Sequence, residues 1–307
     1  MLRFIVNRLL WMIPVLWLVG TVTFFLMHAA PGSPWDVRVG GKNISPELEK
    51  SFNRKYGLDK PLVVQYLIYW RNVLKLDFGQ SYSNESQTVV QRIMAGFPYS
   101  ARIGLYAWVM ALVLGISLGI IAALKQNTWI DYVSLFFATV GYTIPSFVLG
   151  IFLLIIFAVK LGWVPVLFAG WKSYILPSVA LGLSTAAFIA RLTRASVLEI
   201  IRQDYIRTAR AKGLPPRIIN LRHIVRNALI PVVTISGPAL ASLITGTIII
   251  ENVFNVPGMG YLFIQSISAR DYPVIMGTTL FYTFFIVIGN LLVDLTYGLV
   301  DPRIKTS

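Results

Sequence analysis

The chain has 307 residues, of which 56% are hydrophobic and 13% charged, and its mean hydropathy is +0.69. Globular chains carry about 25% charged residues, so a soluble surface is excluded and an all-α polytopic membrane protein is expected. Lys and Arg total 27 against 13 Asp and Glu, a net charge of +14; because these charges fall between apolar runs, they point to membrane topology and not to nucleic acid.

A charge-free run of about 20 residues crosses a bilayer as a helix. Six such runs are expected, over 9–35, 103–124, 132–159, 173–190, 227–250 and 272–293. The first belongs to an N-terminal segment, 1–35, with Arg3 and Arg8 ahead of it. Ala29-Ala30 resembles a signal-peptide cleavage site, but the apolar stretch exceeds the usual 7–15 residues of such a leader, so a retained helix is expected. The segment 36–102 mixes charges with Pro, Gly and aromatics and reads as a small folded extracytoplasmic cap. Within it Ser45 is placed to cap a helix that Pro46 opens. Val64, Leu67, Ile68, Val73 and Leu74 give 61–76 an amphipathic helical pattern.

The remaining five spans form a core over 95–300, with a cytoplasmic loop at 191–226 and a tail at 301–307. Pro145, flanked by Gly141, Ser146 and Gly150, is placed to bend the third span. Arg3, Arg8, Lys125, the basic residues of 191–226, Arg303 and Lys305 share one side of the membrane, whereas the short loops opposite hold only Lys160, Lys172 and Arg270. Basic residues concentrate inside, so both termini are expected in the cytoplasm.

The loop 191–226 carries nine basic residues against Glu199 and Asp204, more than a mere connection needs. Leu198, Ile201, Tyr205 and Ala209 are spaced for one apolar helix face, with Glu199–Arg202 and Asp204–Arg207 as i,i+3 pairs. Gly213 suits a left-handed helix end, and Leu214-Pro215-Pro216 stops the helix for want of amide donors. A second helix is expected from Arg217, with Ile218, Leu221 and Val225 on one side. Two readings stay open on this ground. The first helix lies in a groove of a cytoplasmic partner, its small Ala209 and Ala211 allowing close approach, or it rests at the interface with its arginines among anionic head groups.

Several chemistries are absent. There is no Cys, and His28 and His223 lie far apart, so no metal site is expected within the chain. No phosphate-binding loop is formed, since Gly41-Lys42 runs into Asn43 and Asp36 stands where the first glycine belongs. An ion-coupled secondary transporter prefers several carboxylates or His inside its spans, and an intramembrane enzyme needs paired catalytic groups; only Asp294, at the end of the last span, qualifies. Glu251 is a candidate for contact at the outer face or for capping a loop, and His28 and His223 read as a headgroup-level side chain and a loop residue.

The stretch Tyr205-Ile206-Arg207-Thr208-Ala209-Arg210-Ala211-Lys212-Gly213 resembles the coupling motif of binding-protein-dependent ABC-transporter permeases. The ordered set Ala30-Pro31-Gly32, Leu58-Asp59-Lys60-Pro61-Leu62, Ile144-Pro145-Ser146-Phe147, Arg226-Asn227-Ala228-Leu229-Ile230-Pro231, Pro257-Gly258-Met259-Gly260, Arg270-Asp271-Tyr272-Pro273 and Leu299-Val300-Asp301-Pro302-Arg303 is similar to the dipeptide/oligopeptide permease family, B-subunit type, along essentially the whole chain. One departure stands out: the general signature opens Glu-Ala-Ala, where this chain has Arg207, Thr208 and Ala209, and Arg210 or Asp204 is a candidate to replace the glutamate.

The resemblance implies the fold of a type I ABC importer permease and half of a transmembrane pathway for dipeptides or oligopeptides. It implies no catalysis and no cofactor in this chain, with ATP and Mg bound by two separate cytoplasmic ATPase subunits. The further partners implied are a paralogous permease, an extracytoplasmic substrate-binding protein and the lipid bilayer. The coupling residues it implies are Asp204, Tyr205, Arg207, Thr208, Ala209, Arg210, Ala211, Lys212, Gly213 and Leu214, and candidate pathway or gating positions are Pro145, Ser146, Asn290 and Asp294. Relatives carrying nickel complexes or glutathione keep other cargo open, and a bacterial or archaeal cell membrane is the expected location.

Overall fold

The computed structural model describes residues 2–30, 32, 34, 46–245 and 247–300, with side chains at 6–30, 32, 34, 47–245 and 247–291. The described residues form helices joined by turns, with no strand beyond one bridge between Gln80 and Thr88. In chain order the helices are α1 (Leu2–Ala29), α2 (Pro46–Tyr56), α3 (Leu62–Val73), α4 (Val89–Leu124), α5 (Trp129–Thr143), α6 (Ser146–Leu153), α7 (Ile175–Ile201), α8 (Asp204–Ala211), a helical run over 216–228, then α9 (Ile230–Thr245), α10 (Ile248–Val253), α11 (Met259–Ser268) and α12 (Tyr272–Val300). Among the described residues five helices are long and apolar enough to cross a membrane, and α5 with the helical stretch Ser146–Lys160 makes a sixth span if the bent pair counts as one.

Several expected boundaries move. The first span ends at Ala29 and not at 35. Ser45 lies outside the described residues, while Pro46 opens α2. The cap expected to reach 102 ends sooner, because α4 begins at Val89 and runs 36 residues with Pro98 inside it. That is about 54 Å at 1.5 Å per residue, well beyond a bilayer core. The expected third span is broken between Thr143 and Ser146, where α5 and α6 meet at 103°. Ile144 before Pro145 takes an extended conformation, φ −76° and ψ 124°, as steric conflict with a following proline ring requires. Beyond α6 the chain winds as a π-helix over Leu154–Lys160.

The fourth span, expected to end at 190, continues as α7 to Ile201, which carries Arg191 and Arg194 inside the helix. The expected amphipathic cytoplasmic helix is therefore two pieces. Leu198 and Ile201 close α7, Gln203 is extended with ψ 146°, and Tyr205 and Ala209 belong to α8. The second cytoplasmic helix exists, but its inner face is Ile219 and Ile224, not Ile218, Leu221 and Val225. Its Ile219–Val225 stretch is π-helical, so residues five apart align and the face predicted by a 3.6-residue repeat rotates away.

The chain divides into two compact units, residues 1–6, 100–256 and 286–307 in the first, and 7–99 with 257–285 in the second. In the first unit α4 and α7 approach closely at a Gly115-x-x-x-Gly119 step. A β-carbon at Gly115 would lie 2.7 Å from Ile189 Cβ, and one at Gly119 would lie 2.6 Å from the Ala190 carbonyl oxygen. Lipid tails are as apolar as leucine, so helices associate there by backbone-close packing, which small residues permit. Ala111, Ala186, Ile189 and Val232 complete this core.

In the second unit Phe24, Tyr82, Tyr272, Ile275 and Met276 are buried together, beside a cavity of about 380 Å³ lined by rings such as Tyr56, Tyr69 and Phe78. Asp271, fully buried, accepts hydrogen bonds from Ser81 Oγ, the Tyr82 and Ser83 amides at 3.0 Å each, and Arg92 Nη1 at 3.3 Å. That one carboxylate holds the 81–83 turn at the start of α12. Burial first, then the negative charge of Asp271, holds the Tyr82 phenol well above its usual range.

Candidate coupling site

The helix α8 is short, and its end is tightly defined. The Leu214 amide donates to Ala209 O at 3.3 Å and the Gly213 amide to Arg210 O at 2.9 Å, the paired bonds of a Schellman termination. This geometry needs a left-handed residue, and Gly213 has φ +73°. A side chain there would meet nothing within 4 Å, so glycine is required by backbone conformation and not by space.

One face of α8 is sealed. Ile206 and Ala209 are buried against Ala123 at the end of α4, Val197 of α7, and Ile219, Ile224 and Ala228 of the following run. Asn227 Nδ2 adds a tether, donating to Tyr205 Oη at 3.1 Å and to His223 O at 2.9 Å. The helix is therefore packed onto the ends of two long spans. Its other face is open: Asp204, Tyr205, Arg207, Thr208, Arg210, Ala211, Lys212, Gly213 and Leu214 are all exposed. Ala209, expected among the small residues offered to a partner, faces inward, so only Ala211 of that pair is presented. The Asp204–Arg207 pair stands at 3.5 Å with both side chains in solvent, where such pairs contribute little. The Asp204 carboxylate and the Arg210 guanidinium both lie on the open face.

A second element of this site carries no motif. Asp131, 1% exposed in the first turn of α5, receives Arg194 Nε and Nη2 of α7 at 2.7 Å each, and the Asn127 amide at 3.0 Å. A bidentate guanidinium–carboxylate pair fixes both distance and orientation. It locks the turn at 125–128 to α7 two helical turns before that helix ends. The only signal in the sequence was an acid and a base at the edges of apolar runs, 63 residues apart.

The candidate pathway positions lie on different elements. Pro145 and Ser146 form the α5–α6 break, with the Leu149 amide donating back to Pro145 O at 3.1 Å. Asn290 is exposed on α12, and the Asp294 side chain lies outside the described residues. Glu251 is fully buried, so it is not displayed for contact at a surface. His28 lies between Phe24 O, 2.8 Å from Nδ1, and Gln65 Oε1, 3.2 Å from Nε2. No cluster of three or more potential metal ligands occurs among the described residues.

Comparison with known proteins gives a consistent set of matches. Residues 115–306 match the family described as binding-protein-dependent transport system inner membrane component, and residues 1–104 match its N-terminal companion. The chain is 44% identical to the dipeptide transport system permease protein DppB of Bacillus subtilis, across 99% of this chain and 98% of that protein. It is 42% identical to the oligopeptide transport system permease protein OppB of Salmonella typhimurium, across 99% and 100%. It is 39% identical to the glutathione transport system permease protein GsiC of Shigella flexneri, across 99% of each. Among solved structures, an amino acid ABC transporter with histidines aligns with a TM-score of 0.55 at 15% identity, over 67% of this chain and 92% of that one. The MetNI methionine ABC transporter aligns with a TM-score of 0.53 at 17% identity, over 68% and 96%. At these identities the structural matches establish a shared fold.

Proposed function

Since the chain belongs to the binding-protein-dependent transport system inner membrane component family, in its dipeptide and oligopeptide permease branch, we propose that it forms half of the membrane pathway of an ABC importer for short peptides. It hydrolyses nothing itself. A second, paralogous permease completes the pathway, two cytoplasmic ATPase subunits bind ATP and Mg, and an extracytoplasmic binding protein delivers the peptide. The setting is a bacterial cell membrane, with both termini and α8 on the cytoplasmic side.

The observation that carries this reading is the two-faced build of α8. A helix sealed on one side by Ile206 and Ala209 to the ends of α4 and α7, ended abruptly at Gly213 and open on its other side, is a rigid handle. Closure of ATPases on ATP displaces such a handle and turns the spans that hold it, which alternates access to the pathway. A lone interfacial helix has no need of a fixed register against the spans. Affinity purification of the tagged chain from native membranes tests the assignment. Recovery of a second permease with one or two ATPases is expected; a chain that purifies alone and moves solute down an ion gradient would overturn it.

A further inference from the structure

A charge lies inside one of the spans without a countercharge among the described residues. Arg191 and Arg194 sit one turn apart on α7, yet they are treated differently. Arg194 is neutralised by Asp131, whereas no carboxylate among the described residues pairs with Arg191. Its guanidinium carbon lies 4.2 Å from the ring centroid of Tyr142 on α5, a close cation–π contact.

The direction of the side chain matters. Asp131 near the start of α5 meets Arg194 near the end of α7, while a β-carbon on Gly141 would touch Leu183 and Ala187 at 3.4 and 3.6 Å, so the two helices run antiparallel. Helical side chains lean toward their own N-terminus. Arg191 therefore leans away from the α8 end, into the span, and Tyr142 leans down to meet it. A snorkelling arginine would lean the other way, to the membrane edge.

The surroundings are polar and open. Tyr142 is 56% exposed, and Thr139 and Thr143 beside it are exposed, their hydroxyls spent on carbonyls of their own helix at 2.8 Å. Ionisable groups within spans face a water-filled cavity or a protein interior, since lipid penalises them. A cation–π contact spends no hydrogen bond, and a guanidinium carries a fork of N–H donors matched to a carboxylate.

We propose that Arg191, steadied by Tyr142 just inside the α5–α6 bend, binds the C-terminal carboxylate of a peptide in transit. The proposal rests on the peptide-importer reading. A pathway that accepts many side chains can recognise only what all peptides share, and the terminal carboxylate is the one shared anion.

The test uses the complete transporter with its binding protein, reconstituted in vesicles, and compares uptake of a labelled tripeptide with that of its C-terminal amide. The binding protein is the same for every variant, so its own preference cancels when acid-to-amide ratios are compared. Arg191→Gln is expected to lower that ratio about tenfold, the factor carried by one charge-assisted hydrogen bond, and Arg191→Lys to keep part of it. Tyr142→Ala, which leaves the charge but frees it, is expected to lower the ratio severalfold, and it decides the matter if Arg191→Gln fails to assemble. Equal loss for acid and amide would overturn the proposal in favour of a structural role. An effect of Arg191→Gln that follows the phosphatidylglycerol content of the vesicles and not the peptide terminus would overturn it in favour of a lipid headgroup. No uptake of any peptide by the unaltered complex would overturn the peptide reading along with it.

Discussion

Replacing Asp131 by alanine gives the sharpest test of how α5 is tied to α7. The carboxylate is 1% exposed and accepts two hydrogen bonds from Arg194 at 2.7 Å and one from the Asn127 amide. Deleting one partner of a buried pair strands the other charge, at a cost of about 3–5 kcal/mol. The Arg194 side chain is 21% exposed, and water relieves part of that burden, so the lower end, about 3 kcal/mol, is expected. The readout is thermal unfolding of the purified complex, with Arg194→Ala and the double variant completing a cycle. If the pair is the operative contact, the double variant is much less destabilised than the sum of the singles. The cost of either single change staying within about 0.5 kcal/mol, or the two adding independently, would refute the reasoning.

Other consequences are equally concrete. Gly213→Ala meets no neighbour but forces a side chain into the left-handed region at φ +73°, a strain of about 1–2 kcal/mol; Gly213→Trp is expected to abolish uptake with membrane insertion intact, and normal uptake would contradict the handle. Gly119→Leu places a side chain against the Ala190 carbonyl and Thr193, and loss of folded protein on detergent size-exclusion is expected, where an unchanged monodisperse peak would sink the close-packing account. The Tyr82 phenol is held above its usual range in the fold, so its contribution is full below the ordinary phenol value of about 10 and lost as the pH rises past it. Protease cleavage within 77–88 is therefore expected to rise steeply at alkaline pH, and Tyr82→Phe to flatten that rise; an unchanged profile in the variant would exclude Tyr82 as the cause.

Much of this was readable because membrane insertion leaves so few options. Long apolar runs fix spans, Pro145 fixes a bend, and Gly213 before Leu214-Pro215-Pro216 fixes a helix end, each through local backbone physics. What escaped was set by tertiary contact. Charge marks the limits of the spans in the sequence, which places the start of α4 too late, beyond Arg92 and Arg102, and the end of α7 too early, at Arg191. The helices run on because those charges find Asp271, Tyr174, Tyr142 and Asp131. The inward turn of Ala209 and the π-helical face of Ile219 and Ile224 likewise depend on what α8 rests upon, which spacing along the chain does not record.

The central claim is that the open face of α8 seats on an ATPase. The chain has no Cys, so a single cysteine in place of Arg210, exposed on that face, reports its neighbour without background. With a short bifunctional crosslinker in native membranes, an adduct with an ATPase subunit is predicted, its yield changing when ATP is trapped. An Arg210→Cys chain that transports normally yet forms adducts only with lipid, or none at all, would contradict the account.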